Sequence, residues 1–207
     1  MTTASGSSTA VGRTAAHRPR TSAAGSEGSA DDDLAAAARG DQAALRRIYE
    51  ALAPAVHGYL RGHGAPEPED ATSEVFLAVF TRLDTVVGGA EGLRTLVFSV
   101  AHARLVDQLR RAARRAPSVP YEPTRDDRVA PSAEAVALRR DGVARVESVL
   151  AGLPDDYRDV VLLRVVADLG VAATATVMGR SEGAVKQLYR RALLALRDVV
   201  GDEGVTG

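Results

Sequence analysis

Pro117, Pro120, Pro123 and Pro131 divide the chain, because a segment missing so many backbone donors can continue neither a helix nor a strand. Between them stand Arg125, Asp126, Asp127 and Arg128, charges that a core cannot hold unpaired. Residues 116–131 therefore read as a linker, and each flank must bury apolar surface of its own. The chain has 207 residues. A single core usually takes on the order of 100 to 150 residues, so two small domains are expected.

Both flanks carry helical periodicity. From Asp41, the apolar residues Leu45, Ile48, Leu52, Val56 and Tyr59 recur on one face, with a kink expected at Pro54 and a stop at Gly62–Gly64. After Pro66 and Pro68, a second face runs Ala71, Val75, Val79, Leu83. A third helix is expected from about Glu91 to Arg115, turning Leu93, Val97, Val100, Leu105 and Leu109 inward and ending in arginines. Past the linker, Ser132 is placed to cap a helix carrying Val136, Val143, Val146, Leu150 and Leu153. Pro154 suits the first turn of the next, with Val160, Val161 and Val165 on its buried side. No alternating strand pattern appears. The fold class expected is all-α: a three- or four-helix bundle over 33–115, the linker, and a second helical domain over 132–201 with a short tail at 202–207.

Residues 1–32 are mostly Ser, Thr, Gly and Ala, with too little apolar surface to offset their ordering entropy, and are expected to form a disordered extension. Arg13, Arg18 and Arg20 without acid among residues 1–26 also suit an organellar transit peptide. The run Asp31, Asp32, Asp33 would place acid at the start of the first helix, where the dipole favours it. With no cysteine, disulfides, thiolate metal sites and thiol nucleophiles are excluded. No apolar run reaches the roughly 20 residues of a membrane span, so a cytoplasmic protein without membrane contact is expected. His17, His57, His63 and His102 lack metal-ligand spacing and no phosphate-binding glycine loop opens a helix, which argues against an enzyme and predicts neither metal nor cofactor. The net charge of −1 leaves any nucleic-acid surface to local clustering.

Residues 171–190 supply such a cluster. A helix-turn-helix needs a small residue where its helices cross, a glycine in the turn and an apolar inner side on the second helix. Ala175 stands at the crossing, Gly179 at the turn, and Met178, Val185 and Leu188 at inner positions; Ser181 is placed to cap the second helix near Glu182. Its outer face carries Lys186, Gln187, Arg190 and Arg191, side chains that reach phosphates and base edges. A solvated face of an ordinary helical hairpin would carry charges too, but not the turn and crossing residues with them.

The run Leu153-Pro154, Arg158, Leu163-Arg164, then Gly179 to Lys186 and Arg191-Ala192, resembles domain 4 of extracytoplasmic-function sigma factors, of the sigma-70 family. That resemblance implies that Arg180, Ser181, Lys186, Gln187, Arg190 and Arg191 meet the minus-thirty-five promoter element. Glu69 to Phe76 resembles the family's domain 2 signature, which implies core-polymerase contact by Asp70, Glu74 and Phe76; Ser73 stands where Gln is commoner. The run Leu93–Ala101, continuing Leu105–Arg111, resembles the helix that opens and reads the minus-ten element, which implies DNA contact by His102, Arg104, Arg110 and Arg111. Leu96 occupies a place where the family often has tryptophan, and the melted base would be held by Thr85–Glu91 together with His102 and Arg104. The implied partners are RNA polymerase core, promoter DNA as duplex and melted single strand, and an anti-sigma protein.

Two functions follow from these residues. One is a sigma factor that brings core enzyme to a two-part promoter; two sites on a linker suit two elements at fixed separation. The other is a helix-turn-helix regulator that binds DNA without polymerase, its N-terminal bundle sensing or dimerising.

Overall fold

The computed structural model describes residues 24–114 and 133–203, and among them every regular element is helical. The N-terminal half contains α1 (Ala24–Ala38), α2 (Gln42–Gly62), α3 (Pro68–Phe80), a 3₁₀ turn (Leu83–Thr85) and α4 (Gly89–Arg114). In the C-terminal half lie α5 (Ala133–Ala151), α6 (Asp155–Val165), α7 (Val171–Met178) and α8 (Glu182–Glu203). The expected two-domain helical architecture is what forms. The Pro-rich linker, the Ser132 cap and the extension before Ala24 lie outside the described residues, as does the side chain of Val136.

Local chemistry sets the boundaries. Asp41 accepts the Ala44 amide at 2.9 Å and so caps α2, which passes through Pro54 as one helix and ends at Gly62. Pro68 opens α3, where its missing N–H has no intrahelical partner to forgo. Pro154 stands just before α6, its carbonyl accepting from Tyr157 and Arg158, both at 2.9 Å.

The inner faces are largely those the periodicity marks: Ile48, Leu52, Val56 and Tyr59 from α2, Val75 and Val79 from α3, Leu93, Val97 and Leu105 from α4. Four expected core residues stand outside. Leu109, near the C-terminal end of α4, and Val143, Val146 and Val165 are exposed. Val146 and Val165 line an apolar depression with Val149, Val161 and Leu196. On α6 the buried run is instead Asp159 to Leu163.

Helix α1 begins at Ala24, inside the stretch expected to lack structure, because Leu34 and Ala37 bury against the bundle. The acidic run sits within α1 rather than at its start. Asp33 pairs with Arg47 at 2.7 Å, and Asp31 accepts the Ala90 amide at 2.7 Å, supplying an acceptor to the first turn of α4. The Arg47 guanidinium beside Asp33 holds that carboxyl below its ordinary value.

The two halves are in contact. Their buried residues form one continuous apolar cluster, in which α6 meets α2 and α7 meets α4.

Candidate nucleic-acid interface

Gly179 ends α7 in the left-handed region at φ 61°, ψ 35°, a conformation with little cost only for a residue lacking Cβ. The Arg180 amide folds back to the Ala175 carbonyl at 2.9 Å, closing the turn. Ser181 Oγ then accepts the Ala184 amide at 3.2 Å and starts α8. Ala175 on α7 and Val185 on α8 are buried on either side of the turn, and Ala192 is buried further along α8. Gly170 opens α7 without a side-chain cap; Thr174, fully buried, satisfies its hydroxyl on the Gly170 carbonyl at 2.8 Å.

This construction turns Lys186, Gln187, Arg190 and Arg191 to solvent along α8. Lys186 is 66% exposed and, among the described residues, pairs with Glu182 at 3.9 Å. A pair that open leaves the ammonium available to an approaching phosphate. Arg180 differs: its guanidinium is paired with Asp156 at 2.6 Å and ties the turn to α6. Arg164 lies 5.6 Å over the Tyr189 ring and donates to the Leu169 carbonyl, bracing α8 from beneath.

In the N-terminal half, α3 and α4 flank a groove lined by Asp70, Glu74, Arg104, Asp107 and Arg111. Asp70 and Glu74, expected to meet polymerase, thus share one groove with Arg104 and Arg111, expected to meet the minus-ten element, and Arg104 is paired to Glu74 across it. Arg110 is exposed beside it. Phe76 is elsewhere: it is 2% exposed, packed edge-on to Tyr49 at 4.8 Å, and acts as a support for α3 rather than a surface contact. The next residue, Leu77, is 69% exposed and offers the apolar surface that Phe76 does not.

His102 also departs from expectation. Its Nδ1 lies 3.0 Å from the Tyr59 hydroxyl and 3.3 Å from Asp159 Oδ2, so it faces the C-terminal half rather than open groove. Asp159 is buried, accepts the Tyr59 hydroxyl at 2.7 Å and lies 3.2 Å from His63 Nε2. Burial acts to raise the Asp159 carboxyl. Polar contacts from His102 and His63, the charge attraction of His102 and the Tyr59 hydrogen bond outweigh it and hold that carboxyl well below its ordinary value. For Tyr59, burial and then the neighbouring Asp159 charge push the phenol well above its usual value, which keeps it a donor.

Sequence reasoning missed Asp159. A signal existed, since Asp159 shares a helical phase with Leu162, Leu163 and Val166, all at least partly buried. Arg158 belongs to the stretch that carries the domain 4 resemblance. Its guanidinium donates to the carbonyls of Leu150 at 2.7 Å, Ala151 at 3.1 Å and Leu153 at 3.0 Å, fastening the end of α5 to α6.

A left-handed turn glycine, a capped second helix and a row of solvent-facing cations define a DNA-binding helix-turn-helix protein. Residues 144–196 match the sigma-70 region 4 family. Over 178 residues the chain is 33% identical to the ECF RNA polymerase sigma factor SigD of Mycobacterium tuberculosis, covering 82% of this chain and 83% of that protein. It is 36% identical over 135 residues to ECF RNA polymerase sigma factor ShbA of Streptomyces griseus, covering 62% of this chain and 69% of the relative. The fold is similar to that of CnrH, solved in complex with the cytosolic domain of CnrY, with a TM-score of 0.62, 23% identity, and coverage of 84% of this chain and 97% of that one. The chain belongs to the extracytoplasmic-function sigma factors, and it is an RNA polymerase sigma factor of that family.

Proposed function

We propose that this sigma factor binds RNA polymerase core through α3, reads the minus-thirty-five element with the outer face of α8 and engages the minus-ten element with α4. The observation that carries this reading is the exposed row Lys186, Gln187, Arg190, Arg191 on a helix whose start is fixed by Gly179 and Ser181. Lys186, Arg190 and Arg191 supply phosphate or guanine contacts and Gln187 an adenine contact. Arg180 and Ser181 act at the turn, Arg180 by exchanging Asp156 for a phosphate.

On α4, Arg104, Arg110 and Arg111 meet the backbone of the minus-ten region, and His102 joins them once freed from Asp159. Asp70 and Glu74 make the polar contacts to core enzyme, with Phe76 positioning α3 beneath them. The units assigned are domain 2 over 33–115, the linker over 116–131 and domain 4 over 132–201. The chain acts in the cytoplasm, where its polymerase is, and an anti-sigma protein is its proposed regulator. Similarity to SigD spans 82% of the chain, both halves included, which favours this reading over a free-standing helix-turn-helix regulator. No helix among the described residues is long and apolar enough to cross a membrane.

Purified chain added to core polymerase on a promoter library tests the proposal. The expected result is initiation from a subset of promoters sharing two elements, with none from core alone. DNA binding by the chain without core, and no initiation with it, is the outcome that overturns the reading.

A further inference from the structure

We infer that Asp31 is a positioning residue for minus-ten recognition: reaching across from α1, its carboxylate caps α4 and fixes the turn 86–89 that leads into it. This role rests on the proposed engagement of the minus-ten element by α4 together with the turn before it. Asp31 itself stands outside every stretch that carries the family resemblance.

The first turn of an α-helix has amides with no intrahelical acceptor, and a side chain just before the helix usually supplies one. The chain cannot do that here, because Gly88 precedes α4 and Gly89 opens it. Asp31 does it from 59 positions away, accepting the Ala90 amide at 2.7 Å. A carboxylate is also the favoured charge at that end of the helix dipole.

The turn is shaped around that carboxylate. Gly88 and Gly89 both lie at positive φ, 90° and 60°, and a Cβ at Gly89 would collide with Asp31 Oδ1. A Cβ at Gly92 would collide with the Val87 carbonyl oxygen, so the turn lies directly on the start of α4. Two glycines in succession leave a chain many conformations. Three ties select one. Leu83 is buried on the near side, the Gly92 amide donates to the Gly88 carbonyl at 3.1 Å, and Asp31 holds Ala90 on the far side. Asp31 is held in turn, since Leu34 of the same helix is buried and Asp33 pairs with Arg47 at 2.7 Å.

The turn so fixed points Val87 outward. At 87% it is the most exposed large apolar side chain among the described residues. Standing at the N-terminal end of the helix proposed to meet minus-ten DNA, it offers an apolar surface to bases leaving the stack. Loss of the Asp31 tie lowers the fraction of molecules with Val87 so placed, and the apparent affinity for the element falls with that fraction.

The test uses the full chain with core polymerase on promoters that keep the minus-thirty-five element intact. Their minus-ten element is either the preferred sequence or carries one base change, and the ratio of run-off yields measures minus-ten discrimination. Asp31→Ala removes the acceptor while placing the best helix former in α1. Asp31→Asn keeps an acceptor oxygen of nearly equal capping strength. Hydrogen exchange of the Ala90 amide in the free chain reports the cap itself, and Val87→Asp reports whether the turn meets DNA.

For Asp31→Ala the expected result is faster Ala90 exchange and a loss of discrimination of up to about thirtyfold, the population change equivalent to a lost helix cap. Asp31→Asn should restore most of it, with helical circular dichroism retained in every variant. Three results overturn the role. Unchanged Ala90 exchange in Asp31→Ala means that the cap does not form in solution. Faster exchange with unchanged discrimination, while Val87→Asp lowers it, makes Asp31 a structural cap only. If Val87→Asp also leaves discrimination unchanged, the turn does not meet the minus-ten element, and that outcome counts against the proposed engagement as well as against Asp31.

Discussion

Replacing Tyr59 by Phe removes one hydroxyl and keeps a ring that packs edge-on to Phe98 at 5.7 Å and to His63 at 4.8 Å. Core volume is nearly conserved, so the cost is that of the lost polar contacts, chiefly the bond to Asp159 and with it the 3.0 Å contact to His102 Nδ1. The bond to Asp159 is 2.7 Å long, its acceptor is a charged carboxylate, and both partners are buried. Hydrogen bonds to charged groups contribute about 1.5–3 kcal/mol, and Asp159 keeps His63 and His102, so a loss of about 2 kcal/mol is expected. For a chain of this size that corresponds to a fall in melting temperature of about 4–8 °C. Urea unfolding followed by circular dichroism at neutral pH provides the measurement. A loss below about 0.5 kcal/mol would mean that water replaces the hydroxyl freely, and hence that the two halves are apart in solution.

The Asp159 carboxyl is held below its ordinary value of 3.8. Its contribution to stability is therefore present above that value and is lost as pH falls through and below it. The difference in urea midpoint between the parent and Asp159→Asn should be full at pH 7 and shrink below about pH 4; a difference constant down to pH 3 would contradict the assignment. Lys186→Gln removes an exposed cation paired only at 3.9 Å. With core polymerase bound, it should reduce the slope of log affinity against log salt by about 0.9, with less than about 0.5 kcal/mol change in fold stability. Gly179→Ala adds a Cβ that touches nothing within 4 Å, so its cost is entirely that of the left-handed backbone. A loss of about 1 kcal/mol in thermal unfolding is expected, and Gly179→Asn should lose less.

The helix-turn-helix was legible in the sequence because its determinants are local. Gly179, Ser181 and Ala175 each act within about five residues of their own position, and the structure places each as its residue type requires. Helical phase was equally legible, and it put Tyr59, Val97 and Val185 inside. What phase does not give is whether a neighbour exists to cover a face. Leu109, Val143, Val146 and Val165 are in apolar phase and stand uncovered for that reason. Phe76 shows the converse, an aromatic beside the acids of α3 that turns into the bundle while Leu77 takes the surface. The seam between the halves was not legible at all. Tyr59 and Asp159 are 100 positions apart, and neither carries a local mark of its partner. Gly58 and Gly62 read only as helix-weakening residues until α6 is seen lying on them.

The most direct test of the central claim is start-site selection by polymerase carrying the double variant Lys186→Glu, Arg190→Glu. Run-off transcription is compared on promoters with an intact and a scrambled minus-thirty-five element, with core binding measured in parallel. The outer face of α8 predicts that the variant binds core as the parent does yet initiates equally poorly from both templates. Unchanged discrimination in favour of the intact element would show that this helix does not read the promoter.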